Sequence, residues 1–331
     1  AASADRGWQK KDGRDGRMEP NVMVYLMTGF LDSGKTQFLK FTLQQDYFQI
    51  DGKTLLILCE EGEEEYSPME MLKYGVVIEK VEEREDLTEE FLEDLNRKHE
   101  PERVVIEYNG MWKVSDFEAM KLPDGWAIEQ KLTTVDASTF QMYLTNLKPL
   151  FVEMVRGAEL VLFNRCEDLK PLPGYRRSVK VVSPQAEVIF EDGQGEIENI
   201  FEDDVPYDLK APVIKIARED YGIWYVDMME NPDRYRGKTV EFTAKVLKPR
   251  AFPSKVFLPG RMAMTCCADD TTFLGYVCRS AYAPKLKAGQ WVDIRAKVRY
   301  ANVSVYQGEG PVLEAENIEP ADPIEELVYF N

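Results

Sequence analysis

The sequence predicts two fold classes in succession, an α/β domain with a mostly parallel sheet and then a small all-β barrel. In the first half, short apolar runs alternate with amphipathic segments, as in β-α units around a parallel sheet. After an acidic segment at 191–212, the pattern changes to about five short strands of alternating polarity, which favours an OB-like barrel. A chain of 331 residues is long enough for two such domains.

Near-continuous apolar runs in the first half are expected to be strands buried on both faces of a sheet. They lie at 22–27, 54–59, 103–108, 132–137 and 159–164. Apolar residues at helical spacing predict helices, the last of them capped by Ser138, at 35–45, 87–98 and 138–158.

The change of pattern gives the predicted domain boundaries. We place the α/β domain at 21–190, an acidic linker at 191–212, and the barrel with a leading helix at 213–331. Residues 1–20 contain no apolar core, so we expect a tail or leader there and leave them out of the fold prediction.

Composition excludes several classes of function. The net charge of −18 argues against nucleic acid as a partner, because phosphate backbones need a cationic face. No apolar run reaches about 18 residues, so no membrane-spanning helix is expected. Five cysteines without framework spacing favour reduced thiols and a cytoplasmic location. The single histidine, His99, lies in a polar stretch and is expected on the surface, which disfavours histidine-based catalysis.

The stretch GFLDSGKT at 29–36 has the spacing G-x-x-x-x-G-K-T between a predicted strand and a predicted helix. A glycine-rich turn there directs backbone N–H groups at one point, where the helix N-terminus adds partial positive charge. Lys35 is expected to reach the β- and γ-phosphates of a nucleotide, and Thr36 to bind Mg²⁺. The motif therefore predicts a P-loop NTPase. Its predicted nucleotide-binding residues are Gly29, Asp32, Ser33, Gly34, Lys35, Thr36 and Gln37.

Two acidic residues bear on this prediction. Asp32 puts a carboxylate inside the loop, and we expect it to point outward, because an inward carboxylate would weaken anion binding. Glu107 ends the predicted strand in RVVIEYNG, where an acid can hold Mg²⁺ or orient an attacking water.

At these motifs the chain resembles the CobW/UreG-type P-loop GTPases of the SIMIBI class, which are associated with metal-centre assembly. The resemblance covers 21–190 and includes five segments in the family's order. They are GFLDSGKTQFL, LCEEGEEE, EYNG, VDAST and VSPQAEV. It implies that Glu60 and Glu107 lie near Mg²⁺ and the terminal phosphate, with a solvated acidic turn as the alternative for the segment of Glu60. It also implies a metalloprotein client and a nucleotide-bridged homodimer as candidate partners.

Two departures from the family limit what the resemblance implies. The guanine-reading motif N-K-x-D is replaced by NRCED, in which Asn164 is retained, Arg165 replaces the lysine, and Glu167 stands where Asp is expected. Asp168 follows one position later, and a slipped loop could bring it into place. GTP remains the first choice, with ATP or no strong base preference as the alternatives.

The second departure concerns thiolate ligands. Metal-handling members of the family carry a C-x-C-C cluster after the segment that LCEEGEEE matches, and this chain has no cysteine there. Since three soft ligands give such a site its zinc-type affinity, metal transfer by this domain does not follow from the resemblance. Zinc or another transition metal is left open as a cofactor.

The barrel carries the remaining cysteine cluster in GRMAMTCCADDTTFLGYVC, which resembles a YcgQ-like domain of unknown function over roughly 235–330. Neighbouring strand residues point to opposite faces, so Cys266 and Cys267 can share a metal only at a bulge. A hairpin that turns at ADDT would put Cys278 opposite Arg261, too far from Cys266 for coordination. We expect buried barrel thiols, with a thiol-based metal or redox site as the second interpretation.

The sequence thus favours Mg²⁺-dependent binding and slow hydrolysis of a nucleoside triphosphate, with Glu60 or Glu107 positioning the metal or the water. The alternative is a non-hydrolysing nucleotide-binding or scaffold protein whose barrel binds a protein partner.

Overall fold

The structure, a computed structural model, describes residues 21–167, 172–197, 205–264, 271–306, 308–324 and 326–328. The described residues form two compact units, the first ending at 197 and the second beginning at 205. Within these ranges, no helix combines the length and the apolar character that a bilayer crossing requires.

The first unit is built on an eight-stranded sheet of order β3-β2-β4-β1-β5-β6-β7-β8. All neighbouring strands are parallel except the last pair, which forms a hairpin. The strands are β1 (Val22–Thr28), β2 (Thr54–Leu58), β3 (Val76–Lys80), β4 (Arg103–Glu107), β5 (Trp126–Asp136), β6 (Leu160–Asn164), β7 (Glu187–Asp192) and β8 (Gly195–Glu196).

Helices of this unit connect the strands and help to cover the two faces of the sheet. They are α1 (Lys35–Leu43), α2 (Pro68–Met71), α3 (Glu89–His99), α4 (Val114–Glu118), α5 (Phe140–Asn146), α6 (Lys148–Val155) and α7 (Leu172–Val182). Successive residues of β4 belong to different apolar clusters: Val104 and Ile106 pack into one, and Val105 into the other. Both faces are therefore buried, as the near-continuous apolar strands predict.

The structure differs from the sequence prediction in several places: β3, β7 and β8 were not predicted, and β5 begins at Trp126 rather than at 132. The helix predicted over 138–158 is divided into α5 and α6, since Pro149 is tolerated in the first turn of a helix but not in its interior. Ser138 does not cap that helix; its hydroxyl lies 2.6 Å from Asp136 Oδ1, and Thr139 is the residue before α5. Residues 191–196, placed in the linker, belong to the hairpin of β7 and β8.

The second unit is a barrel with two short helices before it. Five strands close into a ring of order β10-β11-β13-β15-β14, with β14 paired back to β10, so the predicted OB-like barrel is confirmed. The elements are β9 (Ile214–Lys215), α8 (Tyr221–Glu230), α9 (Pro232–Tyr235), β10 (Thr239–Leu247), β11 (Val256–Met264), β12 (Thr271–Gly275), β13 (Val277–Arg279), β14 (Trp291–Val303) and β15 (Gly308–Pro320).

The barrel core comes from alternate residues of each strand. Trp224 of α8 packs among them, with its ring 4.7 Å from that of Phe242 between centroids. Cys278 is fully buried in this core and lies opposite Phe257, not opposite Arg261 as predicted. The difference arises because the register of β11 with β12 is not the predicted one: Thr271, expected in the turn, is paired with Met264.

The backbones of β11 and β12 approach each other closely at Gly260. A Cβ atom at Gly260 would be 2.2 Å from the carbonyl oxygen of Leu274. We expect Gly260→Ala to lower the free energy of unfolding of the barrel by about 1–3 kcal/mol, measured by urea denaturation.

The matched control is Gly308→Ala, because the nearest atom to a Cβ there is 4.0 Å away. Its effect should stay within about 0.5 kcal/mol. Equal effects of the two substitutions would contradict the close approach.

Candidate nucleotide-binding site

The candidate site lies where the parallel strands of the first unit end. Because β1, β2, β4, β5 and β6 are parallel neighbours, the loops that follow them meet at one edge of the sheet, where ligands of open α/β sheets bind. This arrangement brings the loop at 29–36 together with Glu60, Glu107, Asp136 and Asn164.

The loop after β1 has a backbone that requires its glycines. Gly29 has a φ of 144° and Gly34 a φ of 91°, values that side-chain-bearing residues rarely adopt. Asp32 has a φ of 58°, in the left-handed region that Asp tolerates better than most residues. The loop also packs against the segment after β4, since a Cβ at Gly110 would lie 2.4 Å from Gly29 O.

Lys35 begins α1 and is almost completely buried. Its ammonium group donates to Gly29 O at 2.8 Å and to Phe30 O at 2.9 Å, and forms an ion pair with Glu60. The other carboxylate oxygen of Glu60 accepts from the backbone N–H of Gly110 at 3.0 Å. The lysine and the acid that the sequence assigns to the phosphate site are therefore in direct contact.

Glu107 is the second buried acid of the site. It accepts hydrogen bonds from Thr36 Oγ1 and from Tyr66 OH, each at 2.6 Å. Burial raises the pKa of Glu107 above its ordinary value, although both hydrogen bonds and the charge of Lys35 act in the opposite direction. Sequence reasoning missed Tyr66; the only signal was an aromatic residue at the end of the acidic run.

These residues line two neighbouring cavities that share Gly34, Gln37 and Arg165. The first has a volume of about 150 Å³ and is lined by Leu31, Asp32, Gly34, Lys35, Thr36, Gln37, Glu60, Gly62, Glu63, Glu64, Glu107 and Arg165. The second has a volume of about 400 Å³ and is lined by Gly34, Gln37, Phe38, Phe41, Leu162, Asn164, Arg165, Glu167, Glu191, Asp192 and Gly193. Together they have the size of a small-ligand site.

The loop at 29–36 is called the phosphate loop below. The loop after β6, where a base-reading segment is predicted, is hydrogen-bonded to it. Asn164 Nδ2 donates to Ser33 O at 2.8 Å, while its buried Oδ1 has no hydrogen-bond partner among the described residues. Arg165 donates to Asp32 O at 2.8 Å and to Asp136 Oδ2 at 2.5 Å. A ligand in the larger cavity would therefore meet a loop already fixed to the phosphate loop.

Other predicted site residues lie at different depths. Asp32 is exposed but lines the smaller cavity, so its carboxylate stays near the expected phosphate charge. Ser33 is buried, with its hydroxyl 2.9 Å from that of Thr134. Gln37 and Glu167 are exposed at the cavity walls. Asp168 lies outside the described residues.

The cysteines give no metal centre within the described part of the chain, where no group of three or more His, Cys, Asp or Glu could hold a metal ion. Cys59 and Cys166 are buried, and burial raises the pKa of the Cys166 thiol to about 12. Cys278 is buried in the barrel core, whereas Cys266 and Cys267 lie outside the described residues. His99 is only 12% exposed and pairs with Glu79, so it is not the fully solvated surface residue that its polar surroundings predict.

The geometry agrees with a comparison against protein families. The model of the CobW/HypB/UreG nucleotide-binding domain matches residues 23–190, just over half of the chain. The chain belongs to the CobW/HypB/UreG family. A second model, the DUF1980 C-terminal domain, matches residues 194–330. The predicted resemblance to the CobW/UreG-type proteins is thereby confirmed for the first unit. No curated protein matches the chain significantly.

Two solved structures are similar to this member of the CobW/HypB/UreG family. One is the hydrogenase maturation factor HypB from Archaeoglobus fulgidus, with 16% identity and a TM-score of 0.39 over 53% of this chain and 84% of HypB. The other is the Zn(II)-bound YjiA GTPase from E. coli, with 16% identity and a TM-score of 0.41 over 78% of this chain and 89% of YjiA.

Asp136 accepts a hydrogen bond from Arg165, so it provides a test of how the loop after β6 is held. Its pKa lies below the ordinary value of 3.8, because hydrogen bonds from Ser138 and Arg165 outweigh burial, which acts to raise it. The stabilisation by this lowered pKa is therefore present above pH 3.8 and is lost as the pH falls through the lower folded value. We expect Asp136→Asn to cost about 1 kcal/mol at pH 7 and progressively less as the pH falls below 3.8, measured by urea denaturation.

The control is Asp124→Asn, which changes an exposed acid in the loop before β5. A loss at Asp136 that is as large at pH 3 as at pH 7 would contradict the proposed hydrogen bonding of its ionised form.

Proposed function

We propose that the chain binds a Mg²⁺-bound nucleoside triphosphate, with GTP as the first choice, and hydrolyses it slowly. One observation carries the proposal: Lys35, Thr36 and Glu107 line one cavity at the carboxyl edge of the sheet, in a member of a nucleotide-binding family. The triphosphate would lie at the N-terminus of α1, where the loop amides and the helix dipole favour negative charge.

Mg²⁺ fits the donor set of this cavity. Thr36 Oγ1 and Glu107 Oε1 are hard oxygen donors 2.6 Å apart, and Mg²⁺ is usually bound by one or two carboxylates together with substrate phosphates and water. An all-protein cage is therefore not required. When bound, Mg²⁺ neutralises charge on the transferred phosphoryl group.

Hydrolysis would depend on the two acids of the site. Glu107 is fixed by Thr36 and Tyr66 and can orient a water molecule or the metal ion, while Glu60 lies beside the phosphate-binding lysine. Neither of the two cavities is lined by a histidine among the described residues. We therefore propose that the site acts by positioning the attacking water and by stabilising the charge on the phosphoryl group, rather than by strong general-base catalysis.

The preference for guanine rests on the loop after β6. A carboxylate can accept two N–H groups from the edge of guanine, and Glu167 lines the larger cavity. Its side chain is one methylene longer than that of Asp, so ATP or a weak base preference remains the alternative. The orphan Oδ1 of Asn164 offers a further acceptor to a ligand N–H.

We propose further that the nucleotide acts as a switch in metal-centre assembly or metal homeostasis, with a metalloprotein as client. The family of the first unit and the maturation factor among the similar structures support this role. A non-hydrolysing binding or scaffold protein is the second candidate, and the Lys35–Glu60 ion pair favours it, because the phosphate-binding lysine is already neutralised.

Nucleotide binding is tested with fluorescent GTP and ATP analogues and Mg²⁺. We expect Lys35→Ala to weaken GTP binding by at least about 30-fold, because it removes the buried cation of the phosphate site. The control is Lys40→Ala on the same helix, which forms only an exposed pair with Glu64. Binding that is unaffected by Lys35→Ala would contradict the proposed phosphate site, and equal affinities for GTP and ATP would contradict a dedicated GTPase.

Hydrolysis is tested by single-turnover phosphate release. We expect Glu107→Gln to slow release by about 100-fold or more, because it removes the charge proposed to position the metal or the water. Thr36→Ser retains the hydroxyl that Glu107 contacts and should keep most of the activity. Wild-type protein that binds GTP without releasing phosphate would support the non-hydrolysing alternative.

A further inference from the structure

The proposed phosphate site contains a cation whose donors are all in use. A lysine ammonium has three N–H donors and no acceptor. Those of Lys35 meet Gly29 O, Phe30 O and the carboxylate of Glu60, and the two charged side chains are only 2% and 8% exposed. A phosphate oxygen can therefore bind Lys35 only by replacing one of these partners or by sharing its N–H.

Glu60 is the partner that a phosphate resembles chemically. One of its oxygens contacts the ammonium group and the other accepts from the backbone N–H of Gly110, in the segment that packs against the phosphate loop. Ammonium and backbone N–H groups are the donors that phosphate oxygens also take. Of the three partners of Lys35, only Glu60 carries a negative charge.

We propose that Glu60 is an internal counter-anion of Lys35, which the phosphates of the nucleotide displace when they bind. Two anions beside one buried ammonium repel each other strongly at low local dielectric, whereas the neutral carbonyls of Gly29 and Phe30 can stay. Nucleotide binding and the release of Glu60 are then one equilibrium. This inference rests on the proposed nucleotide function and describes how that same site is regulated.

Displacement of Glu60 has a consequence for the acidic segment that follows it. Between Glu60 and Tyr66, the described side chains form two exposed ion pairs, Lys80–Glu61 and Lys40–Glu64. Exposed pairs hold a segment weakly. The buried anchors are Glu60 at one end and the Tyr66–Glu107 hydrogen bond at the other. A nucleotide whose phosphate replaces Glu60 at Lys35 therefore removes one of the two buried contacts that hold this acidic segment.

The test compares Glu60→Gln with Glu63→Gln. Both variants remove one negative charge from the lining of the smaller cavity, but Glu63 is exposed and Glu60 is the residue paired with Lys35. Binding of a fluorescent GTP analogue is measured first in EDTA, so that any contact of Glu60 with Mg²⁺ does not contribute. We expect Glu60→Gln to tighten binding by about tenfold, and Glu63→Gln to change it by less than about threefold.

Thermal unfolding gives a second readout. Without nucleotide, Glu60→Gln should lower the Tm, because it leaves the buried charge of Lys35 without its anion. Added GTP should then raise the Tm more in this variant than in the wild type. In the variant the phosphate pairs with Lys35 directly, whereas in the wild type it must first break the Lys35–Glu60 ion pair.

The possible results separate this inference from the proposed function. Suppose that the wild type binds GTP through Lys35, and that Glu60→Gln binds it with the same or a lower affinity. This result would overturn the proposal that Glu60 is a displaceable counter-anion, but the proposed nucleotide site would stand. An equal increase in GTP affinity for Glu60→Gln and Glu63→Gln would also overturn the counter-anion proposal, because the loss of any negative charge near the cavity would then explain the tighter binding. If none of the three proteins binds GTP or ATP, the proposed function itself is wrong, and the inference with it. Binding by Glu60→Gln alone would support both.

Discussion

The parallel pairing of β1 with β4 is the constraint on which the site depends. Met27 and Glu107 are register partners, and the N–H of Tyr108 donates to Met27 O at 2.9 Å. This register puts Glu107 beside the start of the phosphate loop and within reach of Thr36. A slip by one residue would turn Glu107 to the other face of the sheet.

The buried cation at this edge of the sheet is already paired with an acid of the protein, and further acids lie beside it. Lys35 is the buried cation, and Glu60 and Glu107 are the acids beside it, with Asp32 at the rim. A triphosphate would add more negative charge, so under the two proposals its affinity would depend on Mg²⁺ bound beside Glu107 and on phosphate replacing Glu60 at Lys35. The site would thus respond to nucleotide by rearranging its own acids rather than by simple attraction in a chain of net charge −18.

Sequence patterns predicted β1, β2, β4, β5 and β6 but missed β3, β7 and the side-chain contacts that depend on tertiary structure. Those five strands could be predicted because their apolar runs are continuous, whereas β3 at the edge is only partly buried and the short apolar run of β7 lies between acidic residues. The phosphate loop was predictable from glycine spacing. The contact of Tyr66 with Glu107, and that of Glu60 with Lys35, join segments far apart in the chain, so no local pattern shows them. The register of Cys278 was wrong because the position of a hairpin turn is weakly specified by the sequence.

The most direct test of the central claim is a crystal structure of the chain with Mg²⁺ and the non-hydrolysable analogue GMPPNP. The account predicts the phosphates at the N-terminus of α1, in contact with Lys35, and the metal ion beside Thr36 and Glu107. Phosphates bound outside this cavity, or a Lys35 that keeps its bonds to Gly29, Phe30 and Glu60 without touching phosphate, would contradict it.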